Sequence, residues 1–124
     1  MSDHVELDLP LHPRYASTVR AVTASMGADA GLSVDDIDDL RLGVNEAISV
    51  LTDVDDPDAG RLHVRFELDG GTIVVASQRS GPAPVLAPDD LDELATRILR
   101  AVVDEYDVDA DGVVTVVKRV DERA

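Results

Sequence analysis

The sequence predicts an α+β fold, a two-layer α/β sandwich whose mostly antiparallel sheet is covered on one face by three helices. Two observations predict it. Stretches with apolar residues at every second position stand beside stretches where they recur every three or four, so strands and helices both occur. Their order is strand, helix, helix, strand, strand, helix, strand, with a further short strand possible near Tyr106 to Val108, and the two middle strands meet in a tight hairpin. The expectation is one domain over residues 1–124, a length that suits one ordinary core and not two.

Val5, Leu7 and Leu9 alternate with Glu6 and Asp8 and stop at Pro10, as a short strand does. Tyr15, Val19, Val22 and Met26 then share one helical face, with Pro13 suited to the first turn and Gly27 to the end. Ser33 followed by Asp35 and Asp36 reads as a helix cap with an acidic first turn, favourable at the positive end of a helix. The helix it opens carries Val34, Ile37, Leu40 or Arg41, Val44, Ile48 and Leu51 along one stripe and fades near Thr52. An acidic, turn-rich loop follows, from Asp53 to Gly60.

Leu62, Val64, Phe66 and Leu68 alternate with Arg61, His63, Arg65 and Glu67, the pattern of a half-buried strand. Asp69-Gly70-Gly71 signals a hairpin, and Thr72 to Ser77 gives its second strand. Gln78 to Pro88 reads as a loop. A last helix is expected from near Asp89, with Leu91, Leu94, Ile98 and Val102 inward. Val113 to Val117 is almost continuously β-branched, which suits a central or well-covered strand.

Composition narrows the function. Hydrophobic residues make up 44% and charged residues 30%, so a core is available and disorder is not expected. Aromatics are 2%, which leaves the core to Val, Leu, Ile and Ala. The absence of cysteine excludes disulfides, thiol catalysis and thiolate metal sites. The net charge of −15 repels phosphate backbones and anionic lipid, so neither direct nucleic-acid nor membrane binding is expected, whereas a basic protein partner is attracted. Asp far outnumbers Glu and Arg outnumbers Lys, so the charge also fits GC-rich codon usage or a salty cytoplasm. The first residues, Met1 onward, show no signal-peptide pattern and no stretch spans a bilayer, so a cytoplasmic location is expected.

The run Asp38-Asp39-Leu40-Arg41-Leu42-Gly43-Val44-Asn45-Glu46-Ala47 resembles the helix motif of the anti-sigma serine kinases, members of the histidine-kinase-like ATPase superfamily with the Bergerat fold. Arg20 in the first helix, the segment Ile98 to Glu105 and the closing Gly112 to Val120 support the resemblance, which covers nearly the whole chain. It implies an ATP pocket between helices and sheet, a surface that captures a sigma factor, homodimerisation, and phosphorylation of a serine on a small antagonist protein.

Carried over residue by residue, that pocket is degenerate. The family's Glu-Ala-x-x-Asn places Glu46 as the group that polarises the attacking hydroxyl, but the Mg²⁺-holding Asn is Val50. Asn45 points about a quarter turn away and does not substitute. The family's Asp-x-Gly-x-Gly, whose Asp reads the adenine amino group, aligns with Ser77-Gln78-Arg79-Ser80-Gly81. Ser77 keeps one acceptor, Arg79 stands where the backbone approaches the base, and only Gly81 is retained. Between Gly81 and Asp89 there is little room for a lid or a second glycine box, and Leu94 to Arg97 has no glycine to cradle phosphate. The threonine of the closing strand is replaced by Val113, with Thr115 two places on. The cofactor-binding candidates are therefore Glu46, Ser77 and Gly81, with Glu46 catalytic only in an active enzyme. No cofactor is expected, and ATP with Mg²⁺ follows only if the pocket works.

Other constellations are weaker. Asp107, Asp109, Asp111 and Gly112 match the first half of a calcium loop, but Lys118 stands where the bidentate Glu belongs, so an acidic turn is expected. Asp53, Asp55, Asp56 and Asp58 read as a solvated loop. His4, His12 and His63 lack metal-ligand spacing. Glu46 is equally readable as a solvent-facing helix former or as a buried acid paired with an arginine. The leading expectation is an anti-sigma-type regulator that binds a sigma factor or an antagonist protein, with lost or weak ATP binding. The alternatives are an active protein serine kinase using Glu46 as base, and a nucleotide-independent partner of another phosphorelay.

Overall fold

The computed structural model describes residues 3–56 and 59–120. Asp58 of the acidic loop and Met1 lie outside them. Strand β1 (Asp3–Pro10) leads through a 3-10 turn (Pro13–Tyr15) into α1 (Ala16–Ala30) and α2 (Val34–Thr52). The hairpin β2 (Arg61–Asp69) and β3 (Thr72–Ser80) follows, then a second 3-10 turn (Pro88–Asp90), α3 (Glu93–Val102), β4 (Glu105–Val108) and β5 (Val114–Arg119). The sheet order is β1-β2-β3-β5-β4, and every pair is antiparallel. The α+β class and the three-helix layer are as the sequence predicts.

Register decides what faces the helices. Val5, Phe66, Val75, Val116 and Tyr106 are partners in one row across all five strands. The next inward row is Leu7, Val64, Ser77, Val114 and Val108. Phe66, Val75 and Val116 are buried, and Val19, Leu40, Val44, Ile48, Leu51 and Leu99 of the helices close over them. Alternate strand positions, such as Glu6, Arg65, Ala76, Thr115 and Asp107, form the open face of the sheet.

Four details depart from the sequence reading. Gly27 does not end α1: it is buried in the helix, and a Cβ there would meet Ile37 at 3.2 Å, so its role is close packing against α2. The helix instead runs to Gly31, whose left-handed φ of +89° suits glycine alone. Strand β3 continues beyond Ser77, because Gln78, Arg79 and Ser80 pair with His63, Leu62 and Arg61. Helix α3 starts at Glu93 rather than near Asp89, because Asp92 accepts a hydrogen bond from Ala95 N (2.7 Å) as its N-cap. Its inward residues are consequently Ala95 and Leu99, while Leu94 is 63% exposed. In α2, Val34 likewise lies outside the buried stripe.

Several elements match. Ser33 Oγ accepts from Asp36 N at 3.1 Å, and α2 ends at Thr52. Gly70 takes a positive φ in the two-residue hairpin loop. Strand β5 lies inside the sheet, as its β-branched run predicts. Asp109 Oδ1 accepts from Asp111 N and Val113 N, making the acidic segment a turn into β5. Lys118 points away from that turn. Its Nζ donates to Val102 O at 2.9 Å and lies 3.7 Å from Asp36 and 3.8 Å from Asp39, joining the end of α3 to the start of α2.

Candidate functional site: the cleft between α2, α3 and the end of β3

Glu46, Val50 and Asp53 follow one another at intervals of one helical turn and present one edge of α2 to the start of α3. Together with Asp90, Asp92, Leu94 and Ala95 they line a cleft of about 200 Å³. Two of its carboxylates are spent on the backbone: Asp92 caps α3, and Asp90 Oδ2 accepts from Ala87 N at 2.8 Å. Glu46 and Asp53 make no hydrogen bond or ion pair among the described residues. Among the described residues, no cationic side chain lines the cleft, so its side-chain charge is entirely acidic. Val50, half-buried against the core, adds an apolar wall. Among the described residues, no three His, Cys, Asp or Glu side chains converge closely enough to hold a metal ion.

Ser77 sits under the sheet's helix layer, 1% exposed, and its Oγ has no hydrogen-bond partner. It is the one polar residue in an otherwise apolar cross-strand row. Ser77 lines neither the acidic cleft nor the hollow beside it. That second hollow, of about 350 Å³, is bounded by Asp53, Val54, Asp55, Asp56, Pro82, Ala83 and Pro84, with Arg79 among them.

Arg79 reaches across the gap. Its Nη1 donates to Leu51 O at 3.1 Å in the last turn of α2. Its Nη2 and Nε donate to Pro84 O at 2.7 and 3.3 Å. A guanidinium at a helix C-terminus meets the carbonyls that lack intrahelical donors. Gly81 is engaged in packing. With φ at +123°, it stands so close to Ala59 and Gly60 that a Cβ would come within 2.9 Å of Ala59 O and Gly60 Cα. Its backbone is therefore turned to the chain's own β2 entry. Asn45 is turned toward α1, where its Oδ1 accepts from Arg20 Nη1 at 2.9 Å.

The structure thus brings Glu46 to the acidic cleft, buries Ser77 in the core and leaves Gly81 at the root of the loop. Sequence reasoning missed Asp53, Asp90 and Asp92 as cleft residues. The Asp92-Glu93 pair, a cap followed by an acidic first turn, was the signal that would have placed the last two.

Residues 9–119 match the family model of the histidine kinase-like ATPase domain. The chain belongs to that family. Among curated proteins it is similar to the serine-protein kinase RsbW of Bacillus velezensis, 30% identical over 132 aligned positions covering 92% of this chain and 82% of that protein. RsbW of Bacillus licheniformis is 31% identical over 134 positions, covering 93% and 83%. Among solved structures, the crystal structure of the RsbU and RsbW domains of a Mycobacterium tuberculosis protein superposes with a TM-score of 0.65 at 18% identity. The match covers 95% of this chain and 31% of that longer one, a likeness of fold. The resemblance first carried by the Asp38–Ala47 motif therefore holds over the length of the fold.

Proposed function

We propose that this chain is an anti-sigma-type regulator that binds a sigma factor or an anti-anti-sigma antagonist protein without depending on ATP. The observation that carries the reading is the acidic cleft beside Val50. A triphosphate needs donors and cations, whereas Glu46, Asp53, Asp90 and Asp92 offer carboxylates and Val50 offers a hydrocarbon wall. The candidate base reader, Ser77, is buried and brings one hydroxyl, and Gly81 spends its freedom on Ala59 and Gly60. These residues do not fit ATP with Mg²⁺.

The similarity to proteins named serine-protein kinase RsbW supports a role directed at another protein. Homodimerisation belongs to the same reading. So does a cytoplasmic site of action, and among the described residues no helix is long and apolar enough to cross a membrane.

Thermal unfolding with and without millimolar ATP or ADP, with and without Mg²⁺, tests the proposal. Saturation a hundredfold above a dissociation constant stabilises a fold by about 2.7 kcal/mol, about 10 °C for a domain of this size. No shift is expected. A clear Mg²⁺-dependent shift would overturn the nucleotide-free reading.

The kinase names of these relatives favour a second reading, an active protein serine kinase in which Glu46 is the base. It requires transfer of labelled phosphate from ATP to an antagonist protein. Loss of that transfer in Glu46→Gln would support it, and absence of transfer in the native chain would remove it.

A further inference from the structure

We infer that Arg79 is a built-in strap that holds the 81–88 loop shut against the end of α2 in the absence of any ligand. Three observations carry this. The guanidinium bridges two carbonyls from different elements, Leu51 O of α2 and Pro84 O of the loop, through three donors. Among the described residues, no backbone–backbone hydrogen bond joins residues 82–86 to the rest of the fold, and Pro82 and Pro84 have no N–H to give. The strap also lies in a favourable field, since Asp53, Asp55 and Asp56 line the same hollow and the helix end adds its negative pole.

Two apolar contacts complete the attachment. Leu86 is 3% exposed and enters the core, while Gly112 lets Val85 and Leu86 lie directly against the turn before β5. Gly81 fixes the root of the loop on Ala59 and Gly60. Root and distal end are thus anchored by packing, and among the described residues only Arg79 anchors the middle through polar contacts. Only a forked, planar cation spans both carbonyls, because a lysine ammonium is a single point on a flexible stem. The consequence is a loop that needs no ligand to close, so the surface of residues 53–56 and 82–84 is presented to a protein partner in one fixed shape.

The strap operates in the ligand-free chain and stands or falls separately from the nucleotide reading above. Backbone ¹⁵N relaxation on the full chain, without nucleotide, tests it in the native protein, Arg79→Ala and Arg79→Lys. In Arg79→Ala, the order parameters of the Ala83 and Val85 amides are expected to fall from the rigid range of about 0.85 to below about 0.6, while Val75 and Val116 in the centre of the sheet keep their native values. Arg79→Lys, able to hold one carbonyl and not both, is expected to stay below native at the same amides. Native order parameters for the loop in either variant would overturn the strap, as would a fall spread evenly over loop and sheet. A nucleotide-induced thermal shift of the native chain, by contrast, would count against the nucleotide-free reading and leave the strap intact.

Discussion

Replacing Ser77 with alanine should make the protein more stable. The hydroxyl is 1% exposed and unpartnered, between Val64 and Val114 in the register of the sheet, both of them buried. An unsatisfied hydroxyl in such a setting costs about 1–3 kcal/mol, and alanine removes it while giving up only the packing of one oxygen. The net gain is therefore about 1–2 kcal/mol. At about 2.1 cal/mol/K per residue, unfolding entropy for a chain of this length is about 260 cal/mol/K, so each kcal/mol moves the midpoint by about 4 °C. Differential scanning calorimetry of ligand-free Ser77→Ala should show a rise of about 4–8 °C. Ser77→Thr, which retains the hydroxyl and adds a methyl group to a filled site, should not reproduce that rise. A midpoint for Ser77→Ala at or below the native value would refute the reasoning. It would mean that the hydroxyl has a partner, such as ordered water or a bound molecule, and would restore Ser77 as a binding residue.

Three further outcomes are expected. Lys118→Met keeps the apolar stem but removes a charge-assisted bond to Val102 O and the pairing with Asp36 and Asp39 from a side chain only 11% exposed. It should cost about 2 kcal/mol, read as a fall of about 8 °C in the same calorimeter. Gly60→Ala would place a Cβ 2.5 Å from Ser80 O and 2.9 Å from Leu11, forcing backbone to move. Chemical denaturation should show a loss of about 1–3 kcal/mol with an unchanged m-value. Association with a sigma factor or other basic protein partner, followed by stopped flow, should slow as salt is raised, because a chain of charge −15 steers such a partner through a field that ions screen. A rate indifferent to ionic strength would remove the electrostatic part of the proposal.

Local chemistry was legible wherever one side chain decides the backbone. Ser33 caps α2, the glycines after Asp69 turn the hairpin, and the β-branched run ending at Val117 lies inside the sheet. The face of α3 was not legible from a start near Asp89, since moving a helix start by a few residues rotates its whole periodic pattern. With Asp92 as the cap, Ala95 and Leu99 turn inward and Leu94 outward. Gly27 looked like a helix end because glycine serves two purposes, left-handed turns and close packing, and the sequence does not distinguish them. At the site, the placement of Glu46 and Val50 on one edge of α2 followed from helical spacing alone. The Arg79 bridge did not, because both its acceptors are main-chain carbonyls, which carry no residue identity. The pairing of Lys118 with α2 and α3 was hidden for a related reason: its partners are distant in sequence and meet only when β5 enters the sheet.

That entry has a consequence for assembly. Strand β5 occupies the slot between β3 and β4, although it follows both along the chain. Until residues Val114–Arg119 arrive, one side of the β2–β3 hairpin presents unpaired N–H and C=O groups beside the apolar residues Ile73 and Val75, and β4 has no neighbour at all. A chain with α1, α2 and the hairpin formed but β5 unpaired would display a bare edge that another unfinished copy could pair with. Closing that edge is a long-range event, slower than the local helix and hairpin steps that precede it. Conditions that delay it should lead to intermolecular strand pairing rather than to a partly active monomer, making β5 the element on which clean refolding turns.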